Sequence, residues 1–209
     1  MRKRRGIIHH RISHVFMGIG ILCLVLATGL VAGNQYARYL TRQKQLSIIN
    51  RFETQLTHMD GNLTQADHVY TGTGKNDYTA IEGETIAILR LDRLGIKVSV
   101  AEGTDRQVLK MSAGHFPGTA FPGNGNFAIA GHSSREYVCL FNVLHEAFVG
   151  DQIVVTTRTQ MHQYLVSDIL VVRPEQTEYV CQTNESVLTI VTCTDSGTSR
   201  LIIRAVEVT

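Results

Sequence analysis

The sequence predicts a mainly β domain, an antiparallel barrel or sandwich, carried behind one membrane-spanning helix. Three observations carry that prediction. Seven short runs rich in β-branched residues occupy residues 79–209. Only two short segments among them, 106–111 and 140–148, read as helical. A run of nineteen residues without a charge, VFMGIGILCLVLATGLVAG, stands near the N-terminus at 15–33.

That apolar run sets the order of the elements. At 1.5 Å per residue its helix matches a hydrocarbon core of about 30 Å. Arg2, Lys3, Arg4, Arg5 and Arg11 precede it, and Arg38, Arg42 and Lys44 follow. The bias favours a cytoplasmic basic head at 1–14, a signal-anchor helix at 15–33 and the remaining chain outside. A cleaved signal peptide is the rival reading, but its apolar core is normally shorter, and Val31-Ala32-Gly33 makes only a passable cleavage site.

Residues 36–59 read as helical because Tyr36, Tyr39, Leu40, Ile49, Phe52 and Leu56 recur at steps that favour one face. Small and polar residues follow, with Gly61, Gly72 and Gly74. Residues 34–78 are therefore assigned to an extracellular stalk and linker, and 79–209 to a domain long enough to hold its own core. Within it, 86–91 and 96–100 flank the turn Arg93-Leu94-Gly95, and further strands fall at 127–131, 153–157, 164–172, 187–193 and 201–208. Gly150 is a stop for the second short helix.

Composition narrows the function. Hydrophobic residues make up 44% and charged residues 18%, which is globular rather than disordered. The net charge of +2 hides an asymmetry: residues 1–51 hold nine Lys or Arg and no Asp or Glu, whereas 78–209 hold ten basic and fourteen acidic residues. A basic head suits anionic lipid, and an acidic body argues against nucleic acid. The four cysteines Cys23, Cys139, Cys181 and Cys193 form no C-x-x-C pair, so no zinc site is expected. Cys23 lies in the apolar run. Cys139 and Cys181 could pair, which would leave Cys193 free.

Cys193 closes the apolar strand LTIVTC and is followed at once by the polar turn Thr194-Asp195-Ser196-Gly197. A strand end fixes a nucleophile while leaving it open to substrate, although a free Cys is more often a small buried hydrophobe. His132 likewise closes the strand FAIAG and opens a polar turn, so a Cys–His pair is a candidate. His115, in Gly114-His115-Phe116-Pro117-Gly118, competes, but it is read as a structural loop residue because no strand holds it. Arg200 opens the last strand. If 187–193 and 201–208 form one hairpin, Arg200 returns to the level of Cys193, where a permanent cation can stabilise an oxyanion. Arg204 is the rival cation, four residues deeper.

The segment LTIVTCTDSGTSRLIIRAVEV resembles the sortase signature, a Thr-Leu-x-Thr-Cys strand, a short loop and an Arg opening the last strand, with Ile190 in place of the usual leucine. AGHFPGTAFPGNGNFAIAGHSS resembles the family's Gly-His-x-x-Gly-Thr…Asn-x-x-Ile-Ala-Gly-His run, and FNVLHEAFVGDQIVV its Phe-x-x-Leu…Gly-Asp-x-Ile segment. The three blocks come in the family's order. The resemblance implies an eight-stranded antiparallel β-barrel and assigns His132, Cys193 and Arg200 to the catalytic positions, with Thr192 beside substrate or oxyanion. It implies acyl transfer from an LPXTG-like sorting motif on exported proteins to a cell-wall amine, without metal or organic cofactor. Ser133 stands where many relatives have arginine. The short loop after Cys193 resembles the pilin-assembly and sporulation-associated classes, C and D, although the linker shows no Asp-Pro-aromatic lid motif. Two alternatives stay open: a cysteine peptidase that releases its product to water, and a non-catalytic membrane-anchored barrel used as a scaffold.

Overall fold

The computed structural model describes residues 4–61, 80–133, 141–194 and 197–208, with side chains described for these apart from 4–16 and 58–61. Two compact units emerge, Met1–Thr41 and Arg42–Thr209. A single helix, α1 (Arg4–Gly61), runs through the first and into the second. Its stretch Met17–Thr57 is long and apolar enough to cross a membrane, and Leu22, Leu24 and Leu30 there are exposed.

In the second unit eight strands close a barrel in the order β1-β2-β3-β4-β7-β8-β6-β5. They are β1 (Thr85–Leu91), β2 (Ile96–Glu102), β3 (Ala113–His115), β4 (Asn126–Ala130), β5 (Gln152–Thr156), β6 (Met161–Val172), β7 (Val187–Cys193) and β8 (Arg200–Val208). The expected eight-stranded barrel is present. Its sheet is mixed, not wholly antiparallel: β2 pairs with β3, and β4 with β7, in parallel. Parallel pairing follows from the connections, since 131–186 is long enough to carry the chain back to the start of a neighbouring strand.

Alternation decides what lies inside. Phe127 and Ile129 of β4, Leu188 and Ile190 of β7, and Leu201, Ile203 and Ala205 of β8 belong to the packed interior. Their strand neighbours therefore face outward. A short helix, α2 (Arg106–Leu109), is capped by Asp105, whose carboxylate accepts from the N–H groups of Gln107 and Val108 at 2.7 Å each. It is shorter than the 106–111 expected. The helix expected over 140–148 is only a 3-10 turn, Leu144–Glu146. The chain is held there by tertiary bonds instead: the Asp151 carboxylate receives Arg93 Nε at 2.5 Å, Arg93 Nη2 at 2.6 Å and the Phe148 N–H at 3.0 Å.

The end of α1 packs on the barrel. Gln45, Ile49, Phe52 and Leu56 recur at steps of four, three and four, and Ile49 and Phe52 are buried against Ile88 on the outer face of β1. Each such side chain contributes about 1.5–3 kcal/mol when fully buried. Lys97 Nζ and Glu53 Oε1, 2.6 Å apart, close the same contact.

Candidate active site

The site stands where β4, β7 and β8 end together. β4 and β7 run in step, with Ala130 beside Val191. The pairing continues one residue further, because the Gly131 N–H donates to the Val191 carbonyl at 3.1 Å. The Thr192 hydroxyl donates to the Gly131 carbonyl at 2.7 Å. His132 and Cys193 are the next residues on the two strands and so stand at one level. On the other side of β7, Cys193 is the direct cross-strand partner of Arg200. Cys193 and Arg200 face outward by the alternation of their strands, and His132 continues the outward row of Asn126, Ala128 and Ala130.

All three are half-buried. Burial pushes the His132 imidazole below the ordinary histidine value, because desolvation disfavours its charged form. The Arg200 Nη1 donates to the Gly197 and Ser199 carbonyls at 3.3 Å, which turns the guanidinium back over the β7–β8 connection. Arg204 pairs with Thr189, deeper along the strand as its numbering implied. Cys193 is a free thiol, as are the exposed Cys23 and Cys181. Cys139 lies outside the described residues, and with it the suggested pairing with Cys181.

Thr192 sits on the inner side of β7, 3% exposed, with its hydroxyl engaged by Gly131. His115 is not a loop residue: it ends β3, is 1% exposed and points into the barrel, between Phe121 and Phe127 at ring-centroid distances of 5.1 Å. Its Nδ1 lies 2.6 Å from Glu102 Oε2, and its Nε2 lies 2.9 Å from Thr119 Oγ1 and 3.1 Å from the Ala120 carbonyl. It faces the side of the sheet opposite to the outward row that His132 continues.

Two supporting contacts were not legible in the sequence. A Cβ on Gly131 would run into the Phe141 ring, so this glycine admits Phe141 beneath the His132 turn. Asn126, 1% exposed, accepts from the Thr189 hydroxyl at 2.7 Å and donates through Nδ2 to the Tyr179 and Cys181 carbonyls, both at 2.8 Å. The available signal was an asparagine opening a strand of apolar residues, where its β propensity is poor.

A sortase-domain family model matches residues 89–208, more than half of the chain. The chain belongs to the sortase family. It is similar to the sortase D5 transpeptidase of Clostridium perfringens at 29% identity and a TM-score of 0.62, covering 82% of this chain and 99% of that one. It is 26% identical to sortase A of Listeria monocytogenes over 125 residues, 60% of this chain and 54% of that protein. Sortase A of Streptococcus agalactiae is 34% identical over 89 residues, 40% and 36% of the two chains. The chain thus spans about half the length of the first of these curated relatives and about a third of the second.

Proposed function

We propose that this chain is a membrane-anchored cysteine transpeptidase that cleaves an LPXTG-like sorting motif on exported proteins and passes the acyl group to a cell-wall amine. The observation that supports it best is the Cys193–Arg200 rung, with His132 in step on the neighbouring parallel strand.

Cys193 Sγ attacks the carbonyl carbon of the Thr–Gly bond. Its proton passes to His132, whose depressed basicity leaves the ring neutral and able to accept it near pH 7. Arg200, which does not lose its proton, stabilises the oxyanion by charge and hydrogen bonding. His132 then returns the proton to the departing glycine amine as the C–N bond breaks, leaving a thioester on Cys193. An incoming amine attacks the thioester carbonyl and gives a proton to His132. The new amide forms, and the proton returns to the leaving thiolate. Thr192 positions the oxyanion side through its bond to Gly131. The short β7–β8 connection accords with a class C or class D enzyme.

The apolar part of α1 would hold the barrel outside the cytoplasmic membrane, where substrates emerge, and so raise their effective concentration. Full-length protein in detergent, incubated with a panel of sorting-motif peptides and an amine, should give the amide product by mass spectrometry. Only the free acid would mean a peptidase, and no thioester on Cys193 would leave a scaffold. Protease added to intact protoplasts should remove the barrel; its survival would place the domain inside.

A further inference from the structure

Asn124 is the one asparagine of the chain that is followed by glycine. It is exposed, in the connection from β3 to β4, where its backbone N–H donates to the Phe121 carbonyl at 3.2 Å and closes a turn. Among the described residues, neither its carboxamide nor the Gly125 N–H takes part in a hydrogen bond. Gly125 has no Cβ to screen its nitrogen and holds a φ of +48°. An exposed carboxamide and an unscreened amide nitrogen on the next residue are the two partners of a ring closure.

Other asparagines show the contrast. Asn126 is 1% exposed, both its side-chain N–H groups are bonded to the Tyr179 and Cys181 carbonyls, and its oxygen accepts from Thr189. Asn142 is exposed, but the β-branched Val143 crowds the nitrogen that would have to attack.

The backbone around Asn124 has little slack. The Gly125 carbonyl receives the N–H of Val187, the first residue of β7, at 2.8 Å. Asn126 opens β4 directly beside Val187. A Cβ on Gly125 would stand 2.7 Å from Gln182 Oε1 and 3.0 Å from the Thr183 carbonyl oxygen. Residues 124–126 thus set the point at which β4 and β7 enter side by side, the step that brings His132 level with Cys193 at the other end.

We propose that Asn124–Gly125 is a site of spontaneous deamidation, and that its isoaspartyl product loosens the common entry of β4 and β7. The Gly125 nitrogen gives its proton to solvent base and bonds to Asn124 Cγ. The Cγ–Nδ2 bond breaks, and the side-chain nitrogen leaves as ammonia with a proton from solvent. Water then opens the five-membered imide at either carbonyl and gives aspartate or isoaspartate. Both products carry a new negative charge, but only isoaspartate adds a carbon to the main chain.

The test ages the full-length protein in detergent in mildly alkaline buffer, beside Asn124→Gln, whose longer side chain closes the ring far more slowly, and Asn124→Asp, which adds the charge at once without the extra carbon. Peptide mapping by mass spectrometry, with isoaspartyl methyltransferase labelling, should find the conversion at 124 and none above background at Asn126 and Asn142. The Tm of the aged wild type should fall by about 2–4 °C, an ordinary single-site loss for a chain of this length. Peptide transfer should decline as isoaspartate accumulates, while aged Asn124→Gln and fresh Asn124→Asp keep the Tm and rate of the fresh wild type. No conversion at 124 would overturn the site. Conversion with an unchanged Tm would overturn the link to the strand entry, and an equal fall in aged Asn124→Gln would place the damage elsewhere. Only the transfer assay rests on the transpeptidase reading: a fresh wild type that transfers no peptide removes that reading and leaves the mapping and the Tm to decide this one.

Discussion

Cys193 and Arg200 are opposite each other across the first rung of the β7–β8 hairpin. A thiol and a permanent cation on adjacent strands, both facing outward, are fixed by backbone pairing and not by side-chain bonds. The distance between their Cα atoms therefore survives truncation of either side chain, which makes the pair suitable for substitution.

Arg200→Ala should lower acyl transfer by about 10²–10³-fold, the cost of losing one oxyanion donor, while Cys193 still alkylates. Arg200→Lys should recover only part, because an ammonium lacks the planar fork. Arg204→Ala, at the level of Thr189, should retain most activity. Full activity in Arg200→Ala with collapse in Arg204→Ala would move the cation. A single-turnover assay with intact-mass detection of the thioester separates these outcomes.

His132 titrates below about 6.5 in the folded protein, since burial opposes its charge. Between that lowered value and about 6.5, the unfolded chain binds more protons than the folded one, so stability falls as pH falls through this window. His132→Asn should remove the dependence. Urea midpoints at pH 7 and pH 5 should differ less for the variant than for the wild type, and the transfer rate of the variant should lose its acid-limb inflection. Parallel midpoint shifts in both proteins would contradict the assignment.

Gly131→Ala places a methyl where the Phe141 ring lies. Overpacking of this kind costs about 1–3 kcal/mol, and it should move the His132 turn as well. We expect a lower Tm together with reduced transfer. Phe141→Leu, combined with Gly131→Ala, should restore part of the Tm. No recovery would show that the clash is not with Phe141.

Asp151, 4% exposed, is held below the usual carboxylate range by the Arg93 guanidinium bonded to it. Its stabilising effect is present above about 3.9 and is lost as pH falls through the lower folded value. Asp151→Ala should cost about 1–3 kcal/mol at pH 7, since it strands the Phe148 N–H and Arg93, with the deficit shrinking in acid. Thermal melts at pH 7 and pH 3 check this.

Seven of the eight strands were legible because their β-branched runs sit between turns. The missing one, β3, is three residues long and contains glycine and histidine, too short for periodicity. That omission also misplaced His115, whose burial depends on a strand no pattern announced. The Cys193–Arg200 rung was legible because a short hairpin fixes its own register. The parallel pairing of β4 with β7 was not, since nothing local in either strand encodes a partner some 60 residues away. Phe141 beneath Gly131, and Tyr179 and Cys181 beside Asn126, were invisible for the same reason: each joins segments that only the closed barrel brings together.

The parallel β4–β7 pairing also orders events in time. Thiol and cation meet through a local hairpin, which closes quickly, whereas the imidazole joins only when β4 finds β7 across a long loop, a slow step for a chain rich in non-local contacts. On the transpeptidase reading proposed above, a newly made chain would carry a cysteine without its histidine partner until the barrel closes.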